Sequence, residues 1–164
     1  MSGEKGDIVQ FKFKFQIPDV KLLYILSKKH DHLSFQIHSM LPIGKRQGNN
    51  IVNVEGRGAQ SILVDLKKKF PDLSYSVLFK SPESVLLNII MEDPWILDKI
   101  VETGIPLQYP IGIKDGVASI ELITERNKID LFLEELEHME IDYTIKSIGR
   151  YQNFPLLTDI QKIY

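Results

Sequence analysis

The sequence predicts an α+β protein built from two tandem ferredoxin-like (βαββαβ) modules with antiparallel sheets, residues 1–81 and 82–150, followed by a tail over residues 151–164. Three observations carry this expectation. Strand-like alternation and helix-like spacing occur in the same order twice. The two halves also align locally at a shift of about 70 residues: Ala59, Ile62, Leu63 and Leu66 match Ile129, Phe132, Leu133 and Leu136, and Leu73, Tyr75 and Val77 match Ile141, Tyr143 and Ile145. Finally, a chain of 164 residues, 43% hydrophobic and 26% charged, can bury a real core without disulfides or metal. The alternative is a single α+β domain with one long antiparallel sheet.

Val9, Phe11, Phe13, Phe15 and Ile17 alternate with polar residues, the pattern of a strand with one buried face. Pro18 suits a helix start, and Val20, Leu22, Leu23 and Leu26 supply the helix with an apolar face. Leu33, Phe35, Ile37 and Leu41 restart the period of two, Gly44 to Asn50 offers turn chemistry, and Ile51 to Glu55 reads as a short strand. Ala59, Ile62, Leu63, Leu66 and Phe70 are spaced as a helix, then Leu73, Tyr75, Val77 and Phe79 alternate again. Ser81-Pro82-Glu83 reads as a polar joint between modules. Beyond it Val85, Leu87, Ile89 and Met91 form a strand, and Asp93-Pro94 opens a helix that Gly104 closes in a left-handed conformation. Asp115-Gly116 suits a type I′ hairpin turn. Thr124 is placed to cap the helix of Ile129, Phe132, Leu133, Leu136 and Met139, and Ile141, Tyr143 and Ile145 close the second module.

Composition excludes several classes of chemistry. With no cysteine there is no thiolate nucleophile, no cysteine zinc site and no iron–sulfur cluster. Twenty basic residues against 22 acidic ones give a net charge of −2, which is not the footprint of a chain that wraps nucleic acid. No signal peptide and no run of about 18 apolar residues is present, so a cytoplasmic protein away from membranes is expected.

Glu55-Gly56-Arg57-Gly58 lies between a strand and a helix. Its free N–H groups and the Arg57 guanidinium can hold an anion, so Gly56, Arg57 and Gly58 are the candidate ligand site, for a small acidic metabolite. It is not a dinucleotide fingerprint, because the third glycine of that motif would fall at Ser61. His30, His32, His38 and His138 read as structural or solvated rather than as metal ligands. Lys67 to Lys69, and the cluster Glu134, Glu135, Glu137 and Glu140, read as solvated helix faces. Phe11, Phe13 and Phe15 read as core rather than as a base-stacking platform. No G-x-S-x-G, H-E-x-x-H or P-loop occurs, so no enzyme, cofactor or metal is expected. Each module leaves one sheet face for something to cover, and a homodimer is the expected solution.

The tail, Pro155 to Tyr164, contains Leu157-Thr158-Asp159-Ile160-Gln161. This segment resembles the opening "L-T-x-x-Q" of the helix-turn-helix domain in archaeal regulators of the bacterio-opsin activator type. Leu157, Thr158 and Gln161 match, and Ile160 replaces the usual arginine. The resemblance implies a regulatory N-terminal region of a DNA-binding transcription regulator, with the DNA-reading helices outside this chain. Asp93-Pro94-Trp95-Ile96-Leu97, followed by Glu102-Thr103-Gly104-Ile105, resembles more loosely the ACT-type metabolite-binding modules, with Trp95 where those have glycine. That likeness implies the alternative of a stand-alone metabolite-binding protein without enzymatic activity.

Overall fold

A computed structural model describes residues 7–44, 47–92 and 102–151. Its elements in chain order are β1 (Ile8–Gln16), α1 (Leu22–Lys29), β2 (Ser34–Pro42), β3 (Gln47–Glu55), α2 (Ser61–Lys69), β4 (Tyr75–Ser81), β5 (Ser84–Glu92), β6 (Ile111–Lys114), β7 (Val117–Glu125), α3 (Arg126–His138) and β8 (Tyr143–Arg150). All eight strands among the described residues belong to a single antiparallel sheet of order β4-β5-β3-β2-β6-β7-β1-β8.

This overturns the expectation of two tandem ferredoxin-like modules. In a self-contained βαββαβ sheet the first strand sits between the third and the fourth. Here β5 fills the slot between β3 and β4, while β1 fills the slot between β7 and β8. The physical reason is the joint. Ser81 pairs with Ser84, so Pro82-Glu83 is a two-residue hairpin turn rather than a linker. A turn that short obliges β5 to lie against β4 and claim its inner side. The strand β1 is displaced into the far half, where β7 and β8 flank it, and β2 meets β6 at the centre.

The strand β1 keeps its alternation throughout: Val9, Phe11, Phe13 and Phe15 are buried, and the lysines between them face outward. Phe13 stacks with Phe11 and Phe15 and meets Phe132 of α3 edge-on at 5.5 Å between ring centroids. One continuous core joins these rings to Leu23 and Leu26 of α1, Ile62 and Leu66 of α2, and Ile129, Phe132 and Leu136 of α3. The described helices therefore all cover the same face.

Two strands slip phase. The β2–β3 register shifts between Ile37 and Ser39, so Met40 takes the core side and Leu41, expected in phase with Ile37, is 62% exposed. A second shift between Val77 and Phe79 turns Phe79 out of the core. Helix starts also differ from expectation. The α1 helix begins at Leu22, a turn after Pro18, and the N-cap of α3 is Glu125, Thr124 being a buried residue of β7. Gly104 and the pair Asp115-Gly116 do adopt the positive φ expected of them, at 75°, 49° and 79°. The expected helix from Asp93 to Gly104 falls mostly on residues 93–101, and the tail motif on residues 152–164, both outside the described residues; the described end of that helix, Glu102 and Thr103, is helical. No described helix is long and apolar enough to cross a membrane.

Candidate functional site

The three residues of the expected ligand loop form the turn that carries β3 into α2. Gly56 has φ +134°, and a Cβ there would meet Leu33 Cδ2 at 2.8 Å, so both conformation and space require glycine. The Gly56 N–H donates to Glu83 O at 2.9 Å, and His32 Nε2 donates to the Arg57 carbonyl at 3.0 Å. The donors left for a ligand are the N–H groups of Arg57 and Gly58 and the Arg57 guanidinium, which is exposed and forms no ion pair among the described residues. Beside them lies a shallow depression lined by His32, Ser34, Glu55, Gly56, Ser81, Glu83 and Ser84. Its two carboxylates oppose an acidic ligand on that side of the loop.

Next to this loop is a cluster that motif reading did not find. His30 Nε2 donates to Asp65 Oδ2 at 2.6 Å, Lys29 Nζ donates to Asp65 Oδ1 at 2.7 Å, and Ser61 Oγ stands 3.4 Å from His30 Nδ1. The residue types are those of a nucleophile, a base and an acid. The proton inventory decides against that use. A serine hydroxyl has one proton, and Ser61 gives it to Gly58 O at 2.8 Å, closing the turn that leads into α2. Asp65 is shared with Lys29, and the set works as a clasp between the end of α1 and the first turns of α2. Burial pushes the Asp65 carboxyl up, but the hydrogen bonds and charges of Lys29 and His30 outweigh it and hold it below its ordinary 3.8. The missed signal was an acid one residue before Leu66 and three after Ile62, on the buried stripe of α2.

A cavity of about 680 Å³ lies on the helix-bearing face, floored by Phe15, Ile37, Ile111, Ile113 and Ala118 and rimmed by Lys21, Lys69, Asp72 and Glu92. Its rim at Glu92 adjoins residues 93–101, outside the described residues.

The other face of the sheet is covered by no described helix. Over β1 and β7 this face carries Lys12, Lys14 and Glu121, with Gln10 donating to Glu121. Over β2 to β5 the character changes. Cross-strand register aligns Phe79, Leu86, Asn53 and Gln36 in one row, Ser76, Asn88, Ile51 and Ser39 in the next, and Ile90, Asn49 and Leu41 in a third, without a charge among them, while the flanking rows bring Glu55, which accepts from Asn53, and Glu92, which accepts from Gln47. Asn49 Oδ1 and Asn88 Oδ1 are enclosed and accept no hydrogen bond among the described residues.

No protein-family model matches the chain, and no curated protein does. The class that the coordinates define is thus a structural one, a two-layer α+β protein with an eight-stranded antiparallel sheet.

Proposed function

We propose that this chain is the regulatory, dimerising region of a DNA-binding transcription regulator, and that it reads no DNA itself. The observation that carries the reading is the sheet face over β2 to β5, which no described helix covers and whose three central rows carry no charge. An uncovered run of uncharged rows mixing Leu, Ile and Phe with amides favours a protein–protein contact. The clasp at Asp65 adds to it, because its groups are committed to holding two helices together. The tail residues Leu157, Thr158 and Gln161 supply the link to DNA-binding regulators by resemblance. A small acidic metabolite held by Arg57 and Gly58 belongs to the same reading as its sensing input.

Light scattering at micromolar concentration tests the reading: the expected mass is twice 18.9 kDa. Duplex DNA should bind this chain only weakly and without sequence preference at physiological salt, given its net charge of −2. A mass of 18.9 kDa across the concentration range would remove the dimerising role. Tight, sequence-specific DNA binding by the chain alone would show that the reading surface lies within it.

A further inference from the structure

We infer that the cavity on the helix-bearing face binds an uncharged, mainly hydrocarbon small molecule that carries one hydrogen-bond donor, a hydroxyl or an N–H, and that Asn50 receives this donor. The inference goes beyond the dimerising reading and does not depend on it.

Size is the first argument. Packed interiors keep few voids larger than a water molecule. A volume of about 680 Å³ falls instead in the range of pockets that hold drug-sized ligands, roughly 300–1,000 Å³. The floor has the character of such a pocket. Ile37 of β2, Ile111 and Ile113 of β6, and Ala118 and Ile120 of β7 make it aliphatic, so an apolar molecule that displaces water from it is favoured by burial.

One polar group is set into this wall. Asn50 of β3 lines the cavity and is only 3% exposed. Its Nδ2 donates to Gly48 O at 2.9 Å and to Ile89 O at 3.4 Å, so both amide protons are used and the orientation of the amide is fixed. Its Oδ1 accepts no hydrogen bond among the described residues. The enclosed amide oxygens that lack partners are those of Asn49 and Asn88, on the other face of the sheet; the Asn50 oxygen is not among them and opens to the cavity. A lone acceptor in an aliphatic wall selects an occupant that donates. It opposes a carboxylate or phosphate, whose oxygens would face its lone pairs. The rim agrees, since Lys21 and Lys69 are balanced by Asp72 and Glu92 and give the mouth no net charge. In this the cavity differs from the Arg57 loop, whose donors suit an anion.

The test uses the whole chain and N-phenyl-1-naphthylamine, a neutral aromatic amine with one N–H whose fluorescence rises on leaving water. It should bind saturably, one molecule per chain. Its N-methyl derivative, which lacks the donor, and anilinonaphthalene sulfonate, which adds a negative charge, should each bind at least fivefold more weakly. Ala118→Leu fills part of the cavity and should weaken binding at least tenfold, with thermal unfolding no earlier than in the parent. The absence of native cysteine permits a second measurement that does not depend on that variant folding. A nitroxide on Val20→Cys, an exposed residue of the cavity lining, should quench the bound probe, and one on Ser147→Cys, paired with the outward Lys12 on the far face of the sheet, should not. Absence of saturable binding, equal binding of the N-methyl derivative, tighter binding of the sulfonate, or quenching from Ser147 in place of Val20 would each overturn the inference. None of these outcomes concerns self-association, so the dimerising reading is decided separately by the mass.

Discussion

At Asp65 a carboxylate with a side chain only 7% exposed is balanced by one partly exposed lysine and one buried histidine. Replacing it with asparagine keeps the shape and removes the charge that both partners face. About 2 to 3 kcal/mol of stability should be lost, at the lower end of buried pairs because Lys29 is half in water. The sign with pH follows from the lowered carboxyl. The folded state holds a proton less tightly than the unfolded chain, so the contribution is complete above pH 3.8 and disappears as pH falls through the lower folded value. Urea titrations from pH 6 down to pH 2 should show the parent and Asp65→Asn converging in acid. A constant gap would mean that the aspartate acts through packing. The sequence displayed every member of this clasp, but no pattern joined His30 to Asp65, because they belong to different helices and meet only when α1 and α2 are laid side by side.

At the scale of elements, local rules were read well where local forces decide. The alternation of β1, the spacing of α2 and the Asp115-Gly116 turn all answer to contacts within a few residues, and each formed as expected. That turn also receives α1: the Gly116 N–H donates to the buried Ser27 Oγ at 2.9 Å, Lys28 pairs with Asp115, and the Tyr24 ring closes over Gly116. The result is a paired test. Gly58→Ala meets nothing within 4 Å and pays only for a left-handed alanine, about 1 kcal/mol. Gly116→Ala has the same backbone cost and also places a methyl 2.8 Å from Tyr24, so thermal unfolding should show it to be worse by about 1 kcal/mol or more. Equal losses would mean that Tyr24 swings away freely. The register shifts in β2 and β4 were not legible. Leu33, Phe35, Ile37 and Leu41 are all odd-numbered, and nothing in their identity announces an extra residue at position 38.

For the whole molecule, alternation states which side of a strand is buried and says nothing about its neighbours. That is why the duplicated order of elements was visible and the exchange of β1 and β5 was not. The short Pro82-Glu83 connection was the available clue, since two residues cannot link independent sheets. The exchange has a measurable effect. Phe13 is buried between β7 and β8 and touches Phe132, so Phe13→Ala should cost about 3 to 5 kcal/mol. Hydrogen exchange should place the first losses of protection in β7, β8 and α3, near the other end of the chain. Losses confined to β2 and β3 would contradict the strand order.

The short strand β6 joins the two halves through only three paired positions on either side, Phe35, Gln36 and Ile37 of β2 and Val117, Ala118 and Ser119 of β7, whereas β1 and β7 share nine. A seam so short is where an eight-stranded sheet twists most easily, so the angle between its two halves is the soft coordinate of the molecule. Yet the halves cannot drift apart when it yields. Each holds a strand belonging to the other, and the chain crosses the seam in both directions, as clasped hands remain joined while the wrists turn. A torque applied at one outer edge would therefore reach the other as rotation, with little of it lost to separation.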